Sequence, residues 1–477
     1  MRRLLALLLA LAAMPLFAGT VVFRNVNVIA MASPKVAENQ TVVVTDGKIA
    51  AVGKSAKFPK DATIVDGRGK YLIPGLAEMH GHVPPANAPN GATEDTLFLY
   101  VASGITTVRG MLGHPGQLEL REKSKRGEII APNLYLAGPS FNGQSVNSVE
   151  EAVAKVRAQK KEGWDLLKVH PGLTRDEYDA MARTAREEGI RFGGHVPAEV
   201  GLVHAIEMGQ ETFDHIDGYV EALKGDQGPV DEKALAALVK KSKDAGVWIV
   251  PTSALWEVLM GTIPLETLKS YDELRYVTPA TVENWSKAYN DRLTQIPRTA
   301  ATNIVKNRTR VLRALHEGGV RILMGTDAPQ QFSVPGFSLH RELLRMREAG
   351  MSPYDILGSG TVTVGDYFAK QDAFGTIEPG KRADLVLLEA NPLTDIANVA
   401  KINGVMVGGR WLSRGALDAG LNKIDREELT LSEALLHSGS CRNSTSRGAP
   451  RCGFGRSRAS SSRSSARSTT PSTIPPR

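Results

Sequence analysis

The sequence predicts an α/β fold, a (β/α)8 barrel carrying a small β-sandwich built from both ends of the chain. Eight short apolar segments alternate with segments of helical periodicity over residues 73–374, and such alternation is typical of a parallel sheet. β-branched runs broken by turn signals occupy residues 19–72 and 375–415. Because neither run can bury a stable core alone, we expect them to form one composite domain.

The two terminal segments have the composition of antiparallel strands. The first contains TVVFRNVNVIA, QTVVVTDGKIAAVG and ATIVDGRGKYLI, and Asp46-Gly47 between two apolar runs is a strong hairpin signal. The second contains GTIEPGKRADLVLLEA and KINGVMVGGRWL.

The barrel strands are predicted from short apolar runs, and the helices from apolar spacing behind a Ser or Thr cap. NSVEEAVAKVRAQKKEG and TRDEYDAMARTAREEG are two such helices. About 70 residues separate the seventh and eighth strands, which indicates an inserted lid or substrate region, and residues 335–371 resemble closing helices. The predicted strands are residues 72–80, 105–110, 133–139, 165–170, 190–196, 211–216, 247–253 and 321–329.

Both chain ends differ in composition from the rest. Residues 1–18 combine a basic start with a short apolar run and small residues, which predicts a signal peptide and a secreted or periplasmic protein; an uncleaved anchor is the alternative. No later run is long and apolar enough to span a bilayer, so we expect no membrane span after cleavage. Residues 437–477 have a disordered composition and are either a basic interaction tail or an end without a role.

The net charge of +7 is concentrated in that tail, which holds eight arginines and no acid. The remaining chain is close to −1, so no general basic field attracts nucleic acid. The only cysteines, Cys441 and Cys452, also lie in the tail. A cysteine nucleophile or a cysteine-liganded metal site in the body is therefore excluded.

Four histidines fall at the carboxyl ends of predicted strands one, five and six: His80, His82, His195 and His215. Those ends form the active-site face of a (β/α)8 barrel. His80 and His82 are two residues apart, so on a strand both imidazoles face the same side and can bind one ion. An incidental polar loop is the alternative for the pair, and a satisfied core histidine for the other two.

Asp327, in Gly-Thr-Asp-Ala-Pro at the end of predicted strand eight, and Lys168, on strand four, complete the candidate set. Asp327 can bind a metal and act as general base toward metal-activated water; a helix N-cap is the alternative. Lys168 lies 86 residues after His82 and 27 before His195. These separations are close to whole multiples of one strand–helix unit, so the three residues are expected at the same end of their strands. An ammonium is a poor ligand, but a lysine carboxylated by CO2 can bridge two metals; pairing with Asp165 or another acid is the alternative.

Three further residues are predicted to contact the substrate. Arg109 lies at the end of strand two, His170 directly follows the Lys168 strand, and His340 follows the strand-eight loop. His114, His204, His316 and His437 carry weaker signals, with His204 and His316 expected on helices.

Together these segments resemble the amidohydrolase superfamily, in its imidazolonepropionase-like and prolidase-like branch. The resemblance covers about residues 20–415 and rests on PGLAEMHGHV, GITTVRG, DLLKVH, GGHVP, TFDHIDG, GTDAP and GTIEPGKRADLVLLEANPL. It implies a metal-dependent hydrolase of C–N bonds. It also implies zinc as the usual ion, with His80, His82 and Asp327 on one ion, His195 and His215 on a second, and carboxylated Lys168 between them.

Two motifs depart from the superfamily pattern. The first motif has Glu78 and Gly81 where an acid such as Asp and a bulkier residue are usual, and Gly110 follows Arg109 where Asp is common. We read Gly81 as leaving room for an ion or substrate. The expected substrate is a small amide or peptide such as an Xaa-Pro dipeptide, with a cyclic amide as the alternative. A retired barrel that acts as a binding protein is the alternative of another class, and a homo-oligomer is compatible with the sequence.

Overall fold

Eight short parallel strands form the centre of the computed structural model, which describes residues 19–426. They occupy two hydrogen-bonded sheets, with strand orders β6-β7-β8 and β13-β12-β11-β10-β9. All eight predicted strands are thus present, in chain order. Their bounds are β6 (Leu76–Gly81), β7 (Ile105–Gly110), β8 (Asn133–Leu136), β9 (Leu166–Val169), β10 (Arg191–Gly194), β11 (Thr212–Asp214), β12 (Trp248–Val250) and β13 (Arg321–Ile322).

Backbone contacts join the edges of these two sheets. Parallel bridges pair Ala137 with Leu166 and Phe141 with Val169 between β8 and β9. At the other edge, the N–H of Asp327 donates to the carbonyl of His80 at 2.7 Å. The segment after β13 is therefore bonded to the first parallel strand although it is irregular.

The first predicted strand, residues 72–80, divides at Gly75. Tyr71–Pro74 pairs in the terminal sheet as β5, and β6 begins at Leu76 in the parallel sheet. A Cβ atom on Gly75 would lie 2.1 Å from the Thr106 hydroxyl oxygen, so only glycine fits where the chain changes sheets. Apolar residues continue on both sides of Pro74-Gly75, so the apolar pattern alone does not show that the chain changes sheets there.

The two chain ends share one eight-stranded sheet. Its order is β16-β15-β14-β5-β1-β2-β3, with β4 beside β1. Leu72 of β5 pairs with Leu387 of β14, which joins the early and late segments directly. The Asp46-Gly47 turn links β2 and β3 as expected. The strands are β1 (Thr20–Val28), β2 (Ala37–Thr45), β3 (Lys48–Gly53), β4 (Thr63–Asp66), β5 (Tyr71–Pro74), β14 (Leu385–Leu388), β15 (Ile402–Val407) and β16 (Arg410–Ser413).

The helices follow the predicted caps closely. Ser148 caps the helix Val149–Glu162, and Thr174 forms a capping box with Glu177 at the start of Arg175–Glu188. The helices are α1 (Ala92–Ala102), α2 (Gln117–Lys125), α3 (Val149–Glu162), α4 (Arg175–Glu188), α5 (Leu202–Glu207), α6 (Tyr219–Ala222), α7 (Glu232–Ala245), α8 (Ser253–Leu259), α9 (Leu265–Lys269), α10 (Pro279–Leu293), α11 (Arg298–Glu317), α12 (Phe337–Glu348), α13 (Pro353–Ser359), α14 (Val362–Tyr367) and α15 (Arg414–Ile424).

The long seventh unit is helical, and α8, α9 and α10 lie within it. Helix α15 was not predicted. Among residues 19–426, no helix combines the length and the apolar character needed to cross a membrane. The predicted signal peptide and Ser/Arg-rich tail lie outside the described residues and stay predictions.

Candidate metal centre

Five of the six predicted ligands line one pocket of about 560 Å3 at the carboxyl ends of the parallel strands. His80 lies in β6 and His82 directly after it, while His195 and His215 follow β10 and β11. Asp327 lies in the irregular segment after β13. The structure therefore brings together side chains that are up to 247 residues apart in the chain.

His80, His82 and Asp327 form the tightest group. One ligand atom from each lies within 4.8 Å of the others. The Nε2 atom of His82 is 2.5 Å from Oδ1 of Asp327, and Nε2 of His80 is 3.5 Å from the same oxygen. Two imidazole nitrogens and a carboxylate converging on one point are a suitable donor set for zinc or a similar cation.

His195 and His215 extend this group. Their ring centroids are 4.5 Å apart, and the centroid of His215 is 4.4 Å from that of His80. The Nε2 atom of His215 is buried without a hydrogen-bond partner among residues 19–426, and it lies 3.7 Å from Oδ2 of Asp327. A buried nitrogen lone pair beside a carboxylate fits a cation, which would satisfy both groups.

Each inner histidine has a polar side chain close to its other ring nitrogen, although the contact of His80 lacks hydrogen-bond geometry. Nδ1 of His80 lies 2.8 Å from Asp214, and Nδ1 of His195 lies 2.7 Å from Asp217. Nδ1 of His215 lies 2.8 Å from the Thr252 hydroxyl. Such partners fix the orientation and tautomer of the ring, which leaves Nε2 available to a metal.

Lys168, on β9, is fully buried beside this group. Its Nζ atom lies 3.0 Å from Nε2 of His80. Burial lowers the pKa of Lys168 to about 8. The alternative pairing with Asp165 is not observed, because that carboxylate accepts hydrogen bonds from Arg121 and from the backbone N–H of Leu136.

Glu78 and Gly81 account for the unusual first motif. The buried Glu78 carboxylate accepts hydrogen bonds from the N–H and hydroxyl of Thr326 and from the N–H of His80. Burial raises the pKa of Glu78 to about 8. A Cβ atom on Gly81 would lie 2.8 Å from Glu78 and 3.0 Å from the Tyr100 hydroxyl. The space at Gly81 is thus taken by protein, and our interpretation that it admits an ion or substrate is corrected.

Several residues in or next to the candidate centre have left-handed backbones. Asp327 has φ 66°, His215 has φ 64°, Ile216 has φ 57° and Thr252 has φ 47°. Non-glycine residues rarely adopt this conformation, and it costs about 1–3 kcal/mol per residue. Its concentration around the ligands indicates that the fold enforces the positions of these side chains.

Arg109 lies outside the pocket, and this placement corrects the substrate-binding role that we predicted for it. The side chain is fully buried, and Nη2 donates to Asp214 at 3.1 Å. Nε donates to the carbonyl of Met79 at 2.6 Å. Burial opposes the ionisation of Asp214, but the charges of Arg109 and Lys168 outweigh it and hold the pKa of Asp214 below its ordinary value. Arg109 therefore positions the partner of His80.

The two histidines predicted to contact the substrate differ in their position relative to the pocket. His170 lines the pocket, and its ring stacks on His195 at 4.9 Å; burial and the nearby Lys168 lower the pKa of His170 to about 2. His340 lies on α12 outside the pocket lining, with its ring against Phe337, which corrects its predicted role. His114, which carried only a weak signal in the sequence, lines the pocket.

The partners of the ligands were missed at the sequence level. Asp214 and Asp217 flank His215 in the segment DHID, and Thr252 lies in VPTS after β12. An acid on either side of a candidate ligand was the available signal, since metal-binding histidines commonly contact carboxylates. No local pattern pairs Asp217 with His195 rather than with its neighbour His215.

Helix α8 forms one wall of the pocket through Leu255 and Trp256. Its first turn is held by Glu342 of α12, whose carboxylate accepts hydrogen bonds from the N–H groups of Ser253 and Ala254 at 2.9 and 2.7 Å. Burial raises the pKa of Glu342 to about 7. This group therefore couples proton binding to the stability of the wall.

We expect the stability difference between the wild type and Glu342→Gln to depend on pH. Because the pKa of Glu342 is higher in the folded chain, its favourable contribution is complete below about pH 4.5 and is lost as pH rises through about 7. Between about pH 5 and 8 the wild type should lose on the order of 2 kcal/mol relative to the variant. Urea unfolding at several pH values measures this, and a difference independent of pH would contradict it.

Comparisons with known proteins agree with this architecture. The amidohydrolase family model matches residues 71–412. A 5-methylthioadenosine/S-adenosylhomocysteine deaminase from Caldanaerobacter subterraneus is 23% identical over 77% of this chain and 84% of its own length. Among solved structures, a bottromycin amidohydrolase is 26% identical with a TM-score of 0.69, covering 87% of this chain and 92% of that one. A Xaa-Pro dipeptidase with bound methionine is 23% identical with a TM-score of 0.64, covering 83% and 100%.

Proposed function

This chain belongs to the amidohydrolase family, and from that premise we propose that it is a zinc-dependent hydrolase of a C–N bond in a small amide. The observation that carries the proposal is the convergence of His80, His82 and Asp327, whose ligand atoms lie within 4.8 Å of one another in an open pocket. The proposal includes a closed (β/α)8 barrel, which the backbone bonds at both sheet edges support.

We assign two ions to the centre. His80, His82 and Asp327 would hold one, and His195 and His215 the other, with Lys168 between them as a carbamate. The neutral Lys168 amine would add to CO2, which forms the N–C bond, and would then release a proton. The product is an anionic carbamate. The 3.0 Å separation between Lys168 and His80 Nε2 supports this, because an ammonium there would repel an ion bound to the same nitrogen.

Different residues of the chain have different roles in the proposed hydrolysis. A bound divalent ion would lower the pKa of water toward about 7 and polarise the amide carbonyl. The Asp327 carboxylate, facing both His82 and His215, accepts the proton from water as general base. The same carboxyl group returns that proton to the leaving nitrogen, so the amine departs neutral. Asp214 and Asp217 keep His80 and His195 in the required orientation.

The substrate we propose is a small peptide such as an Xaa-Pro dipeptide, or a cyclic amide. The likeness to the Xaa-Pro dipeptidase structure and a pocket volume of about 560 Å3 support a compact substrate. A retired barrel that only binds ligands would be expected to have lost ligand residues. All six candidate positions instead hold residues able to act, and five of them line the pocket.

The test is a hydrolysis screen of dipeptides and lactams with zinc-loaded and chelator-treated protein. We expect amine release that requires zinc and returns when zinc is added back. The metal content of the same preparations should follow the activity. Protein that binds no zinc, or that hydrolyses the substrates equally well after chelation, would overturn the proposal.

A further inference from the structure

The pocket wall beyond the ligand set is mainly apolar. Helix α8 contributes three apolar side chains, and the loops after β6, β7 and β13 contribute the others. The principal wall residues are Pro84, Leu112, Leu255, Trp256, Leu259 and Pro329. The polar wall residues are His114, His170 and Gln330. The Gln330 amide makes no side-chain hydrogen bond within residues 19–426, so it is available both to donate and to accept.

No lysine or arginine among the described residues lines this pocket. Arg109 is buried and paired with Asp214. Arg308 is only 2% exposed; its guanidinium lies 3.3 Å from the centre of the Trp256 ring and pairs with Asp217. Neither guanidinium lines the pocket. Arg308 packs against Trp256, which is itself part of the wall, and its Nε and Nη1 atoms make no hydrogen bond among residues 19–426.

This composition makes the binding of charged substrates unfavourable. A carboxylate that enters an apolar wall loses hydration and needs a cationic partner to recover it. Outside the metal centre no lysine or arginine side chain of the described residues reaches the wall to provide such a partner. An apolar, uncharged group gains by covering Leu112, Leu259 and the Trp256 ring, and a neutral amide can bond to Gln330.

We propose that the pocket selects amides whose non-reacting parts are apolar and uncharged, such as end-capped or cyclic peptides, over dipeptides with a free carboxylate. The inference rests on the proposed hydrolysis and narrows its substrate. Of the two classes proposed above it favours the cyclic amide, and it favours a peptide only when the ends are capped, over a free Xaa-Pro dipeptide. Trp256 and its neighbours on α8 provide the apolar contact, and the lack of a wall cation provides the discrimination.

One scaffold in four forms tests the charge preference: leucyl-proline with free ends, N-acetylated, C-amidated, and capped at both ends. With zinc-loaded protein we expect the doubly capped form to exceed the N-acetylated free acid by about tenfold or more in kcat/KM. Equal rates, or a preference for the free acid, would overturn the inference. If none is cleaved, these peptides are not substrates; binding of the four compounds to the same protein, measured by calorimetry, still tests the preference.

A charge introduced at Gln330 provides the complementary test. Gln330→Arg places a guanidinium in the wall, and Gln330→Met is the matched control, with similar length and no charge. We expect the arginine variant to shift the ratio of kcat/KM values, free acid over amide, toward the acid by about tenfold relative to the methionine variant. An unchanged ratio would show that wall charge does not set selectivity.

Discussion

Replacing Asp327 by Asn is expected to lower kcat/KM by about 10³-fold, because general acid–base catalysis contributes roughly 10²–10⁴. Asn keeps the shape of the side chain and one oxygen near His82, but it cannot accept a proton from water. Asp327 is the only carboxylate among the described residues that line the pocket, so no neighbour can replace it. The rate on the best substrate of the screen, measured at saturating zinc, tests this expectation.

The matched control is Asp165→Asn, the same chemical change at the start of β9. Asp165 pairs with Arg121 away from the pocket lining, so this variant should keep a rate close to that of the wild type. Loss of Asp327 could lower the rate by removing a metal ligand or by removing the general base, and the zinc content separates these effects. A variant that keeps its zinc but is inactive identifies Asp327 as the base. Activity above about a tenth of wild type with full zinc would remove Asp327 from that role.

Replacing Lys168 by Ala is expected to remove both activity and metal. In the two-ion centre that we propose, Lys168 supplies the only ligand shared by both ions. Without it the chain should fall from about two zinc ions to one or none, because losing a shared ligand weakens both sites. Elemental analysis of protein purified without added chelator, together with the rate, measures this outcome.

Lys168→Met is the companion variant, since it fills most of the buried volume but cannot be carboxylated. It separates loss of a ligand from creation of a cavity, which by itself could destabilise the fully buried site. The wild type labelled with 13C-bicarbonate should show a carbamate signal that both variants lack. Wild-type zinc content in Lys168→Met would contradict a bridging role.

The positions of the parallel strands and the clustering of the candidate ligands could be predicted from the sequence because both depend on local patterns. Apolar runs with glycine or polar breaks locate β6 to β13, and the ligands sit where those runs end. The carboxyl ends of parallel strands meet on one face, so His195 and His215 could be placed near His80 without knowing any contact. Ser148 and Thr174 are also recognisable from the local sequence, and each correctly predicted where a helix begins.

The parts that could not be predicted depend on contacts between distant segments. Arg109 has the same local pattern whether it faces the pocket or Asp214, and tertiary packing decides between them. The role of Glu78 requires Thr326, which is 248 residues away. His340 follows the strand-eight loop as expected, but the direction of α12 turns it away from the pocket lining.

The pairing of β5 with β14 has a consequence for how the chain is made. Leu72 and Leu387 are more than 300 residues apart. During synthesis, β5 therefore cannot pair with β14 until the late segment has been made. Until β14 arrives, the free edge of β5 can pair with other chains. Holding the nascent chain unfolded until residue 413 has emerged would avoid that hazard, and a chain cut short before β14 should accumulate as aggregate rather than as a smaller enzyme.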